Sequence, residues 1–263
     1  MSRARAVRLR RVATGFAGAM VAGLALFGLD RADRAYPPPL DAAREMSREA
    51  VDRDGLLLRA FTTHEGLWRL PVDLDAVDPD YINMLIAYED RRFRSHWGVD
   101  PLALMRAAFQ FISNGGRIVS GGSTITMQVA RLIEPRRART LTAKLKQVAR
   151  ALQIERRLTK DEILSLYLTL APYGGNIEGV RAASLAWFGR EPKKLTLSQS
   201  ALLVALPQAP EARRPDRRRE QAKRARNRVL RRMRSAGLIP QSEIERASAA
   251  FVPDQRFKMP DLA

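Results

Sequence analysis

Glu89-Asp90-Arg91-Arg92-Phe93-Arg94-Ser95-His96-Trp97-Gly98 sets two adjacent carboxylates among arginines, aromatic rings and one of the two histidines of the chain. Ahead of it, Tyr81, Met84, Leu85 and Tyr88 recur at three- and four-residue spacing, the mark of an amphipathic helix that ends near Glu89. Farther on comes a second marked segment, Gly121-Gly122-Ser123-Thr124-Ile125-Thr126-Met127-Gln128. Taken singly, an acid pair is usually a solvated helix end, and a Gly-Gly-Ser-Thr run is usually a loop entering a helix cap.

Working outward, the pattern stays helical. Asp100-Pro101 predicts an N-cap and first helical position for residues 102–112. Ser123 or Thr124 caps a helix through Leu132, and Leu145, Val148 and Leu152 mark another. Thr159 with Glu162 three residues on reads as a capping box for residues 163–170, and residues 197–206 start from Thr196. Before Asp80, Asp54-Gly55 sits between apolar runs and predicts a hairpin or ribbon, with a further extended piece at residues 68–72. The expected fold class is mainly α.

Composition bounds the answer. A chain of 263 residues, 46% hydrophobic, can bury one sizeable core. It has no Cys, so disulfides and thiolate metal sites are excluded. The formal net charge of +18 calls for a polyanionic partner, either nucleic acid or an anionic membrane surface or pyrophosphate lipid. Charge distribution favours the membrane. Arg3, Arg5, Arg8, Arg10 and Arg11 precede an uncharged stretch at residues 12–29, which reads as a short transmembrane helix with a cytoplasmic N-terminus. A cleavable signal peptide and a buried core helix are the alternatives. Tyr36-Pro37-Pro38-Pro39 then reads as an extended spacer.

The two marked segments, in this order, resemble the first two motifs of the family 51 peptidoglycan glycosyltransferases. The likeness continues through Lys144-Leu145-Lys146-Gln147, through Glu162-Ile163-Leu164-Ser165-Leu166-Tyr167-Leu168, and through Trp187-Phe188-Gly189, covering about residues 53–234. Met127, Gln147 and Ala171-Pro172-Tyr173-Gly174-Gly175-Asn176 are variant spellings similar to the glycosyltransferase half of class A penicillin-binding proteins of the 1c type. The resemblance implies a lysozyme-like α-helical domain with an N-terminal transmembrane helix and a short extended membrane-proximal segment. It gives a cytoplasmic tail at 1–11, an anchor at 12–29, a spacer and pedestal at 30–79, a core at 80–210 and a basic helical segment at 211–263. It also implies residence in a bacterial inner membrane, with the catalytic domain periplasmic. Phe109, Phe111 and Ile112, followed by Asn114-Gly115-Gly116-Arg117, are either the membrane contact or ordinary core.

Joining sugars from a lipid pyrophosphate donor requires a base for the acceptor hydroxyl and cations for the leaving group. The resemblance assigns the base to Glu89. It gives substrate-binding roles to Asp90, His96, Ser123, Thr124, Gln128, Arg131 and Lys144, with Asp90 and His96 supporting the site. At Gln147 most family members carry a second carboxylate, and an amide there weakens any role in metal binding. No cofactor is required on this reading, with Mg2+ or Mn2+ left open.

The implied partners are lipid II, the growing glycan strand, the membrane and other cell-wall synthesis proteins, with no nucleic acid. Residues 213–234 carry a dense run of arginines with Val229, Leu230 and Met233 interleaved, read as a basic amphipathic helix that packs on the domain and turns its charge toward lipid or glycan. The chain contains no Ser-x-x-Lys or Lys-Thr-Gly transpeptidase motif. A glycan-cleaving lysozyme-like enzyme and a non-catalytic glycan-binding scaffold are the competing functions.

Overall fold

The structure is a computed structural model of the chain, and it describes residues 30–31, 33–43, 45–113, 122–134 and 140–261. The expected anchor at residues 12–29 lies outside the described residues, as do Asn114, Gly115, Gly116, Arg117 and Gly121. No described helix is long and apolar enough to cross a membrane. The chain divides into two units, residues 1–38 and 39–263, and the second holds all the elements that follow.

That unit is mainly helical, and its helices begin where side-chain caps permit. Helix α1 (Pro79–Glu89) starts at Asp78, whose carboxylate accepts the amides of Asp80 and Tyr81, with Pro79 at the first turn. Helix α2 (Pro101–Ser113) follows Asp100, which accepts the Ala103 amide at 3.0 Å. Thr124 caps α3 (Ile125–Ile133) and Thr140 caps α4 (Leu141–Glu155). The capping box expected at Thr159 opens α5 (Lys160–Leu170), and Thr196, expected as a helix start, forms a second capping box with Gln199 at α7 (Leu197–Ala205). Between them, α6 (Val180–Phe188) ends at Gly189 in the left-handed conformation. Helices α8 (Pro215–Ser235) and α9 (Gln241–Ala249) close the chain.

The expected hairpin forms from β1 (Glu49–Val51) and β2 (Leu57–Ala60), antiparallel. Its turn is held by Asp52, which accepts the Asp54 and Leu56 amides at 2.9 and 2.8 Å. The extended piece read at 68–72 shortens to β3 (Trp68–Arg69). Together with β4 (Pro172–Gly174) and β5 (Ile177–Glu178) it makes a second sheet in the order β3–β5–β4, with β3 parallel to β5. Leu70, Val72 and Val77 join the same core as Tyr81, Leu85, Phe93, Tyr167, Tyr173 and Trp187.

Two readings of helix faces need correction. Helix α4 forms, but Leu145 and Leu152 are exposed, and its buried residues are Ala151 and Ile154, because α3 and α5 pack on the other side. In α8, Val229, Leu230 and Met233 are buried as expected, but the arginine run is not all surface. Arg226 is fully buried and donates to Ser198 Oγ at 3.0 Å and to the carbonyls of Ala250 and Ser248 at 2.7 and 2.5 Å, tying α7, α8 and the end of α9 together. Arg214 is buried against Asp216 at 2.7 Å. Helix α8 also kinks at Arg218, where the backbone leaves helical values.

Candidate active site

Helix α1 stops at Glu89, and the chain turns there so that neighbouring carboxylates face different ways. The Glu89 carboxylate accepts a hydrogen bond on each oxygen, from Gln128 Nε2 to Oε2 at 2.9 Å and from Gln208 Nε2 to Oε1 at 2.7 Å. Gln128 comes from α3, whose first turn is fixed by Thr124. The Thr124 hydroxyl accepts the Met127 amide at 3.1 Å and donates to the Gly98 carbonyl at 2.5 Å. Gly98 has φ +71, and a Cβ there would meet the Ala151 carbonyl at 2.8 Å, so only glycine lets this segment lie against α4.

Asp90 turns inward. It is buried, sits 2.9 Å from His96 Nε2 on each oxygen, and accepts the Ile125 amide at 3.0 Å. A carboxylate at a helix N-terminus meets unsatisfied N–H groups and the positive end of the dipole. Asp90 therefore ties the end of α1 to the start of α3, and His96 braces it.

A second cluster joins α4 to the segment ahead of α3. Lys144 Nζ donates to Ser123 Oγ at 2.6 Å and to Gln147 Oε1 at 3.2 Å, while Gln147 Nε2 donates to the Met127 carbonyl. Burial, and then repulsion from Arg131 on α3, pushes the Lys144 ammonium below the usual lysine range. Among the described residues no group of three or more His, Cys, Asp or Glu is placed to hold a metal ion. Position 147 offers a cation a neutral amide oxygen that also accepts from the Lys144 ammonium, with none of the charge a carboxylate would bring.

The expected site residues gather in two linked clusters; Glu89, Asp90, Ser123 and Thr124 line a cleft of about 560 Å³, whereas His96, Gln128, Arg131, Lys144 and Gln147 stand behind that lining. One cluster is Glu89, Asp90, His96, Thr124 and Gln128; the other is Ser123, Lys144 and Gln147 with Arg131 nearby. Such an arrangement offers a hydrogen-bonded carboxylate as proton acceptor and cations for a developing anion.

Several participants were not read from the sequence. Arg91, Arg106 and Arg232 also line the cleft, and Arg232 comes from the basic helix α8, stacking over Tyr88 at 4.7 Å. Arg92 lines it as well but is committed to Asp100. Beneath Glu89, the Tyr81 and Tyr173 hydroxyls lie 2.9 Å apart and Tyr167 is buried beside them. Burial first, with the Glu89 charge among the other causes, raises all three phenols, which stay protonated. Gln208 lay in Pro207-Gln208-Ala209-Pro210, which reads only as a helix end.

A family model described as Transglycosylase matches residues 54–234. Penicillin-binding protein 1C of Escherichia coli strain K12 is 44% identical over 232 residues, 88% of this chain and 30% of that protein. Penicillin-binding protein 1A of Aquifex aeolicus is 42% identical over 179 residues, 68% of this chain and 24% of that protein. The chain therefore spans less than a third of the length of either relative. A crystal structure of penicillin-binding protein 1A from Haemophilus influenzae aligns with a TM-score of 0.46 and 22% identity, covering 82% of this chain and 22% of that one.

Proposed function

The chain belongs to the transglycosylase family, as the glycosyltransferase domain of class A penicillin-binding proteins of the 1c type, and from that premise we propose that it polymerises lipid II into glycan strands with Glu89 as general base. The observation that carries this reading is the placement of Glu89 on the same cleft as Ser123, whose hydroxyl holds Lys144. In the proposed step, Glu89 takes the proton of the acceptor sugar 4-hydroxyl. The freed oxygen forms the new glycosidic bond at the donor anomeric carbon, whose bond to pyrophosphate breaks with the electron pair leaving on the phosphate oxygen. Lys144 and Arg131 face the charge that grows there, the guanidinium through paired donors and the ammonium as a point charge. Ser123, Thr124 and Gln128 orient the sugars and phosphates.

The lysozyme-like character of the helical domain and the division into tail, anchor, pedestal, core and basic segment belong to the same proposal. So does the periplasmic side of an inner membrane as its place. Leu102, Met105 and Phe109 are exposed along α2, which supports a membrane contact there. Side chains of Phe111 and Ile112 are outside the description.

The test is incubation of detergent-solubilised protein with labelled lipid-linked disaccharide-pentapeptide, with product length read on a gel. Polymer is expected from the wild type, and Glu89→Gln should reduce its formation by about two to four orders of magnitude per folded molecule, the folded fraction being read from a melting curve. Turnover by Glu89→Gln near the wild-type rate removes Glu89 from the mechanism. Shortened glycan in place of polymer identifies a cleaving enzyme, and precursor binding without any product identifies a scaffold.

A further inference from the structure

Glu89 is gripped on both oxygens, and the second grip has a fixed polarity. The Gln208 amide could in principle present either its oxygen or its nitrogen to Glu89. Its other end decides, because Gln208 Oε1 faces Arg213 Nη1 at 3.0 Å, and a guanidinium can only donate. The oxygen therefore belongs to Arg213, and the NH2 group must point at Glu89 Oε1, 2.7 Å away.

Arg213 is anchored in turn. The same Nη1 donates to the carbonyl of Ala205, the last residue of α7, at 2.5 Å. Gln208 closes a short 3-10 turn, Leu206–Gln208, whose Leu206 and Pro207 are buried, and Arg213 closes the next, Glu211–Arg213. A rigid helix end thus holds an arginine, the arginine orients an amide, and the amide holds one oxygen of the carboxylate. Gln128 holds the other oxygen from α3.

We propose that Gln208 and Arg213 are positioning residues for Glu89, fixing the rotation of its carboxylate so that a free lone pair faces the acceptor hydroxyl. The inference rests on the reading of Glu89 as general base. Neither residue touches the reacting atoms. A carboxylate on a flexible stem samples many rotations, and general-base catalysis depends on meeting the proton at hydrogen-bond distance, so a fixed rotation acts on turnover rather than on substrate affinity.

The experiment measures steady-state polymerisation of labelled lipid-linked disaccharide-pentapeptide by the full chain, together with a melting curve for each variant. Gln208→Leu and Arg213→Met should each lower kcat by about 10- to 100-fold. KM should stay within about twofold of wild type, as expected for an interaction that matters only in the transition state. Arg213→Lys, which still donates to Gln208, should recover most of the loss. The double variant Gln208→Leu/Arg213→Met should lose no more than either single one, because the two act as a unit. In the Glu89→Gln background, Gln208→Leu should change nothing further. Wild-type kcat in Gln208→Leu, additive losses in the double variant, a rise in KM alone, or losses that follow lowered melting without rescue by Arg213→Lys each overturn the proposal. An inactive Glu89→Gln beside a fully active Gln208→Leu removes the relay and leaves the base in place. A fully active Glu89→Gln removes the base itself.

Discussion

Asp90 accepts the main-chain amide of Ile125 at 3.0 Å, so the residue after the proposed base also receives the first turn of the helix that carries Gln128. Asp90→Ala leaves that amide and His96 Nε2 without their acceptor, and each buried group so orphaned costs about 1–3 kcal/mol. Asp90→Asn keeps an acceptor for one of them but gives up the charge at the helix end, worth about 0.3–1 kcal/mol or more when partly buried. Urea unfolding should therefore rank stability as wild type, then Asp90→Asn, then Asp90→Ala. Equal midpoints for all three would show that the contact contributes nothing.

The local parts of this arrangement were legible in the sequence. Thr159 with Glu162, Thr196 ahead of its helix, and Asp100 before Pro101 each act within a few residues, so their spelling carries the helix starts. Helix faces were harder. Leu145 and Leu152 fit an apolar stripe, but which stripe of α4 is covered depends on where α3 and α5 lie, and the chain buries Ala151 and Ile154 instead. Strands β4 and β5 are three and two residues long, too short for alternation to show. Gln208 lies 119 positions from Glu89, and no spacing rule reaches that far. Arg226 counted as one more surface charge until the fold enclosed it among Ser198, Ser248 and Ala250.

Lys144 gives the site a pH signature. Burial, followed by repulsion from Arg131, lowers its ammonium below the usual range, so the cation proposed to face the leaving group is lost at a lower pH than an exposed lysine would be. Initial rates should fall on the alkaline side accordingly. Arg131→Met removes a like charge and should move that alkaline limb to higher pH, even though the rate at its plateau is reduced. Lys144→Arg should abolish the limb, since a guanidinium keeps its proton throughout. An alkaline limb that stays in place in Lys144→Arg assigns it to another group.

Acid stability should depend on the pair of Arg92 and Asp100. Burial alone pushes the Asp100 carboxyl up, but the hydrogen bond from Arg92 and the Ala103 amide outweigh it and hold the group below the usual carboxylate range. The unfolded chain therefore binds this proton more tightly than the folded one. The stabilisation is present above the unfolded value, about 3.9, and is lost as pH falls through the lower folded value. Arg92→Met should lower the urea midpoint at neutral pH, and the gap from wild type should close in acid. A gap that is constant across the series would mean that Arg92 contributes by packing alone.

Gln147 is where the chain departs from the common spelling, and its contacts say what a carboxylate would change there. Its oxygen accepts from Lys144 at 3.2 Å and its nitrogen donates to the Met127 carbonyl. Gln147→Glu keeps the volume, turns the first contact into an ion pair, and replaces the second with two acceptors facing each other. The first change favours the ammonium of Lys144, so the alkaline limb should move up. The second takes a donor from a main-chain carbonyl, and the melting temperature should fall by an amount equivalent to about 1–3 kcal/mol. Polymerisation by the wild type should be indifferent to chelator, because position 147 carries a neutral amide in place of a carboxylate, whereas in Gln147→Glu magnesium or manganese should alter the rate. A wild type that depends strongly on divalent cations, with the same dependence in Gln147→Glu, would show that cation use is decided elsewhere in the cleft.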